Sequence, residues 1–187
     1  MATATQITTG RVRLSYVYAV TARAAQEGAQ PKYSVTLLIP KTDKNTIAKI
    51  KAAIEAAKTA YLQKHSGKKL PSALKTTLHD GDGERPNGGG FGPECKGHYV
   101  MTCSSNNKPV IVYADKTPIT EASELYSGCY GRAIVNFYVY DTNGNKGVSA
   151  GLNGIMKLSD GEPLSGGVVT DSDWDDDFED EDDDLLN

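Results

Sequence analysis

No apolar run in this 187-residue chain approaches the roughly 20 residues that a bilayer-crossing helix needs, which argues against membrane insertion. No positively charged region precedes an apolar stretch at the N-terminus, so no secretory leader is expected. Cysteine is scarce. Cys95, Cys103 and Cys129 make an odd count, no CxxC pair occurs, and the chain reads as a reduced, cytosolic protein. Although His98 lies between two of the thiols, "CKGHYVMTC" has the wrong repeat for a zinc knuckle or ribbon, and no metal or other cofactor is expected. Catalytic signatures are missing too. There is no GxSxG or HExxH, and "GGGFG" lacks the Lys-Ser/Thr of a phosphate loop.

A last absence is local, because no Lys or Arg occurs between Asp171 and Asp184, where eleven of the 24 acidic residues stand. Residues 1–170 therefore carry 20 basic against 13 acidic side chains, a net +7 facing a tail of -11. The overall charge of -4 hides this division. A basic body joined to an acidic block points to a polyanionic partner for the body, with the tail imitating that partner, recruiting another protein or aiding solubility.

The length suits one domain with appendages. Residues 1–9 are small and polar and predict a frayed start, so order is expected from Gly10. In "RVRLSYVYAV", alternation places Val12, Leu14, Tyr16, Tyr18 and Val20 on one strand face and Arg11, Arg13 and Ser15 on the other. "KYSVTLLIP" turns Tyr33, Val35, Leu37 and Ile39 inward and stops at Pro40. The period then changes: Ile47, Ile50, Ile54, Ala57 and Tyr61 recur at helical spacing, which predicts one amphipathic helix near Asp43 to Gln63, capped by Thr42 or Asp43.

The stretch from Lys75 to Glu94 is rich in Gly, Pro and Asp and predicts a long mobile loop. Strands resume at "HYVMTCSS" and "PVIVY", and "DTNGNKG" (Asp141 to Gly147) marks an Asn-Gly hairpin between two long strands. The fold class is mainly β with one inserted helix, a small curved sheet or Greek-key barrel. It should occupy residues 10–158, followed by a flexible linker at 159–170 and a disordered acidic tail at 171–187.

The densest aromatic stretch is "YSGCYGRAIVNFYVYD". As a strand it turns Ala133, Val135, Phe137 and Val139 to one face and Tyr130, Arg132, Ile134, Asn136, Tyr138 and Tyr140 to the other. Flat rings beside a guanidinium suit the stacking of unpaired bases and the holding of phosphates. Arg11, Arg13, Lys32, Arg85 and Lys146, near other strand ends, are candidates for the same groove. A competing reading comes from "DGDGE", where Asp80, Asp82 and Glu84 alternate as a metal-dependent nuclease would require. The calcium-loop pattern fails there because Phe91 stands where its bidentate glutamate belongs.

Five strings, "PKYSVTLLIPK", "IAKIKAAIEAAK", "LHDGDGERP", "LYSGCYGRAIVNFYVYDTNGNKGVSAGLN" and "KLSDGEPL", resemble a tailed-phage family of single-stranded DNA-binding proteins long catalogued as a domain of unknown function. The resemblance covers about Gly10 to Gly166. It implies an OB-type barrel without enzymatic activity, coating single-stranded DNA in replication or recombination in the host cytoplasm, with some members accepting duplex DNA. The tail resembles those of bacterial and T7-like phage single-strand binders. This implies that Trp174, Phe178, Leu185 and Leu186 compete with DNA or recruit replication and recombination proteins. A DNA-mimicking interaction protein is the remaining alternative.

Overall fold

The computed structural model describes residues 4–24, 26–71, 74–85, 88–142 and 145–164. Nine strands and one helix follow in chain order: β1 (Gln6–Thr8), β2 (Val12–Arg23), β3 (Lys32–Pro40), α1 (Lys44–Lys64), β4 (Lys75–Thr76), β5 (Leu78–Asp80), β6 (His98–Ser105), β7 (Val110–Tyr113), β8 (Tyr130–Thr142) and β9 (Asn145–Ser159). Strands β8, β2, β3, β6 and β9 are neighbours in that order, and β9 pairs again with β8, so the path closes. The result is a five-stranded barrel of the OB type, with β6 and β9 parallel and the other junctions antiparallel.

Alternation fills the barrel. Val12, Leu14, Val35, Leu37, Ile39, Met101, Cys103, Val135 and Phe137 are all within 1 % of complete burial. Helix α1 closes the core with Ile47, Ile50, Ala53, Ile54, Ala57 and Tyr61, as its spacing predicts. Each isoleucine so buried contributes about 1.5–3 kcal/mol. Asp43 caps the helix by accepting from the Thr46 backbone N–H at 3.1 Å and the Thr46 hydroxyl at 2.6 Å.

Four expectations are corrected. The frayed start is a strand: Gln6, Ile7 and Thr8 pair with Asn136, Val135 and Ile134, because β8 has a free edge there and Ile7 can bury its side chain. The strict alternation in β2 fails, since the pairs Arg13–Leu38, Leu14–Leu37 and Ser15–Thr36 give way to Tyr18–Ser34. One extra residue in β2 makes this bulge and reverses the side chains that follow as far as Tyr18, and a second irregularity precedes the pairing of Arg23 with Lys32. Tyr16 takes the bulge with φ +45° and is 55 % exposed, while Tyr18 leaves the core face.

The predicted mobile loop from Lys75 to Glu94 also carries structure. It contributes β4 against β9, β5 against β6, and a bridge between Glu84 and Gly90. Lys41 anchors it, with its ammonium 2.6 Å from both Asp80 and Asp82, and Gly97 N–H donates to Asp82 at 3.1 Å. Lastly, Asp160 to Leu164 form a strap on the barrel rather than a free linker. Tyr126 Oη donates to Asp160 at 3.1 Å, and Leu164 N–H donates to Ser127 O at 2.9 Å. The acidic tail, with Trp174, Phe178, Leu185 and Leu186, lies outside the described residues.

Candidate nucleic-acid interface

The register of β2, β3 and β6 sets out rows across the outer face of the barrel. Tyr18 stands opposite Ser34, and Ser34 opposite Ser104; one level along come Ser15, Thr36 and Thr102; beyond them come Arg13, Leu38 and Val100. Small hydroxyl residues at the middle level keep the surface low. The first row opens into a groove of about 560 Å³ lined by Tyr18, Arg23, Gln30, Lys32, Ser34 and Ser104. The Arg23 guanidinium lies 4.8 Å from the centre of the Tyr18 ring and donates to its hydroxyl. Arg23 also pairs with Lys32 across the strands, so two cations and one ring share a wall. This is chemistry for a backbone carrying both phosphates and flat bases, on the strand face that OB barrels use for oligonucleotides.

The other end of the face is covered. Leu38, Val100 and Cys95 form a small cluster on which Phe91 and Leu164 pack. Three predicted binding residues lie beside the strap that brings Leu164 there, and Arg13 bonds to it directly. Arg13 donates to Gly128 O at 3.1 Å and to Glu162 O at 2.5 Å, and Arg11 donates to Ser159 Oγ at 2.8 Å. Both guanidinium groups lie over the Tyr130 ring, at 4.6 Å for Arg11 and 5.5 Å for Arg13.

The other predicted residues fall in separate places. Lys32 lies in the groove. Arg132 donates to Thr9 O at 2.8 Å, beside an apolar pocket bordered by Val110, Ile134 and Met156. Asn136 accepts from Thr5 Oγ1 at 2.9 Å and, with the 45 % exposed Tyr138, borders a shallow pocket against Tyr61, Lys64 and His65 of the helix end. The Tyr140 ring fills the space left by Gly147, where a Cβ would sit 2.6 Å from its Cζ. Lys146 donates to Lys69 O at 3.5 Å, and Arg85 lies over Phe91 at 5.4 Å. The outer face of β8 therefore does not present its rings as one platform.

Sequence reading missed Tyr16, Tyr18 and Arg23 because alternation assigned both tyrosines to the core. A signal was available in their own polarity: "SYVY" would have buried two hydroxyls in a barrel otherwise filled by apolar side chains. At the base of the hairpin that joins β8 to β9, Tyr61 Oη donates to Asp141 at 2.8 Å and Lys68 pairs with the same carboxylate at 3.2 Å. The bond from Tyr61, then that from Lys68, hold the Asp141 carboxyl below its ordinary value. The helix end thus fastens one rim of the barrel.

The acidic motif is closed by an ion pair. Lys41 occupies the position between Asp80 and Asp82 that a divalent ion would need, and its hydrogen bonds lower the pKa of both carboxyls. Among the described residues no three His, Cys, Asp or Glu side chains converge as a metal site. Cys103 is sealed in the barrel core, where burial pushes its thiol well above the ordinary range.

An OB barrel whose β2–β3–β6 face combines ring, guanidinium and ammonium defines a nucleic-acid-binding class of protein. The comparisons narrow the class. The family model for the Enterobacter phage Enc34 ssDNA-binding protein matches residues 5–186, and the chain belongs to that family. Protein p50 of Acyrthosiphon pisum secondary endosymbiont phage 1 is 33 % identical over 144 residues, covering 74 % of each chain. The structure of the single-stranded DNA-binding protein from bacteriophage Enc34 in complex with ssDNA superposes with a TM-score of 0.74 at 27 % identity, covering 87 % of this chain and 90 % of that one. Gp2.5, a single-stranded DNA-binding protein encoded by bacteriophage T7, shares the fold alone, with a TM-score of 0.59 at 16 % identity over 94 % and 96 % of the two chains.

Proposed function

We propose that this protein binds single-stranded DNA without sequence preference along the outer face of β2, β3 and β6. The observation that carries the reading is the row of Tyr18, Ser34 and Ser104, flanked by Arg23 and Lys32. Tyr18 supplies a stacking surface, with the exposed Tyr16 ring next along the strand; Arg23 and Lys32 take phosphates; the hydroxyl rows let the backbone approach closely. None of these contacts reads a base edge, so affinity is sequence-tolerant. Tyr138, Tyr140 and Lys146 lie apart from this face, by the helix end and the β8–β9 hairpin, and are not assigned to it. Arg11, Arg13 and Tyr130 join it when the strap moves.

The protein acts without catalysis, in phage replication or recombination in the host cytoplasm, and coats strands that would otherwise re-pair or be cut. Duplex DNA is a weaker ligand, because its bases cannot reach the rings. The acidic segment 171–187 competes with DNA for the positively charged body and recruits replication or recombination proteins when DNA releases it. Family membership and the DNA-bound relative support the binding reading.

The test is a titration of fluorescent single-stranded and duplex oligonucleotides at two salt concentrations, with and without magnesium. Tight, salt-sensitive binding of single strands with no cleavage is expected. Preference for duplex DNA, or magnesium-dependent cleavage lost on Asp82→Ala, would overturn it.

A further inference from the structure

The positive charge of the body is not spread over it. Residues 44–75 hold eight lysines (44, 49, 51, 58, 64, 68, 69 and 75) against the single acid Glu55. That +7 is the whole excess of residues 1–170, because twelve basic and twelve acidic side chains remain elsewhere. The groove holds two cations in a part of the body that is neutral overall. The strongest electrostatic attractor on the molecule is helix α1 with the segment behind it.

Among the described residues most of the lysines of this surface have no ion-pair partner. Helix α1 packs its apolar side on β8, β1 and β9, away from the groove. Among the described residues, Lys44, Lys49, Lys51, Lys64, Lys69 and Lys75 are exposed and make no ion pair, whereas Lys58 pairs with Glu55 and Lys68 with Asp141. Lys44, Lys51 and Lys58 recur every seven residues, so they share one side of the helix at steps of about 10 Å. Leu62, 40 % exposed, continues that side.

We propose that α1 is the docking surface for the chain's own acidic segment 171–187. The charges match in sign and size, with -11 on the segment and +7 on the helix region. Trp174 and Phe178, four residues apart among the acids, have an apolar counterpart in Leu62 and the lysine stems. Reach suffices. The chain leaves the body at Leu164, and the 23 residues beyond it can extend roughly 75 Å, against a radius of gyration near 15 Å for a body of this size. Tethering keeps the segment at about millimolar effective concentration. Docking on α1 leaves the groove open, so the tail opposes DNA through the shared field and not by occupying the ring sites.

The test uses the full chain without DNA, so its outcome is independent of the DNA-binding reading. Trp174 is the sole tryptophan and reports directly on the segment. Its fluorescence anisotropy at low salt should exceed that of the isolated 171–187 peptide, fall with added salt, and not depend on protein concentration. A variant with Lys44, Lys49, Lys51 and Lys64 each replaced by Gln should lose more than about half of that excess, since four charges of seven are gone. Circular dichroism should be unchanged, because Gln matches Lys in helix propensity. An Arg23→Gln/Lys32→Gln variant should keep the excess. Loss only in the groove variant would place the segment on the DNA face and overturn the proposal. So would a wild-type anisotropy equal to the free peptide's, or an excess that vanishes on dilution and so reveals docking between copies.

Discussion

Arg23 and Lys32 stand opposite each other across β2 and β3, and Tyr18 stacks under Arg23 on the same wall. Charge and stacking can therefore be removed separately, and each removal has its own signature. On single strands the logarithm of affinity falls with the logarithm of salt by about 0.7 per neutralised phosphate. The double variant Arg23→Gln/Lys32→Gln should lower the slope by about 1.4, so that the loss of affinity between 50 and 200 mM salt shrinks roughly sevenfold. Tyr18→Ala should act otherwise. It should cost about 1–3 kcal/mol, or roughly 5- to 150-fold in affinity, at every salt concentration, because a lost stack releases no counterion. Anisotropy titrations of labelled oligothymidine at four salt concentrations measure both effects, with exposed Lys108→Gln, which is not among the groove-lining residues, as control. An unchanged slope in the double variant, or a Tyr18→Ala loss that disappears at high salt, would refute the assignment of this groove.

The clamp on the 80–97 segment makes a prediction about pH. Because Lys41 lowers the pKa of Asp80 and Asp82, their contribution is present above the ordinary carboxylate range and is lost as pH falls through the lowered values, below about pH 4. The same bonds raise the Lys41 pKa, so its contribution persists through neutral pH and is lost only on the alkaline side of its ordinary value. The protection factor for hydrogen exchange at Gly97 N–H, taken against the intrinsic rate at each pH, should thus be high at neutral pH and fall in acid, and Lys41→Met should show the low value at both. Gly128 has φ +119°, and a Cβ there would sit 2.1 Å from Glu162 O. Gly128→Ala should cost about 1–3 kcal/mol in urea unfolding and release protection at Leu164 N–H. Deleting residues 1–8 removes the burial of Ile7, worth about 1.5–3 kcal/mol, and should lower Tm by about 3–12 °C in a domain of this size.

What could be read from the sequence was whatever one periodicity governs without interruption. Helix α1 came out within a residue at each end because the five positions Ile47, Ile50, Ile54, Ala57 and Tyr61 obey one spacing and Asp43 caps them. Strand β8 alternates over its whole length, so its inner residues Ala133, Val135 and Phe137 were assignable from pattern. Strand β2 defeated the same method at its first bulge, between Ser15 and Tyr18. A bulge adds nothing to composition, yet it moved Tyr18 from the core to the groove and made the groove what it is. Pairing decided by a partner was equally hidden: "QIT" has no strand signal of its own, and β1 exists because β8 offers an edge.

The strap shows why a suitable residue type alone does not leave a side chain available. Arg11, Arg13 and Tyr130 are suitable residue types, but their donors and ring are engaged by Ser159, Gly128, Glu162 and one another. A ligand reaching Arg13 must first displace Asp160 to Leu164, whose hold is strong at its root. There the buried Lys157 pairs with Asp160 at 2.7 Å and Glu124 at 3.1 Å. Burial alone would lower the Lys157 pKa, and those two bonds outweigh it, so the lysine stays charged and the root stays fixed through neutral pH. The weaker hold is at Leu164, one hydrogen bond and a small apolar contact. Displacement by DNA should therefore begin at the end nearest the acidic segment and stop at Asp160, which makes the strap a hinge with a defined pivot.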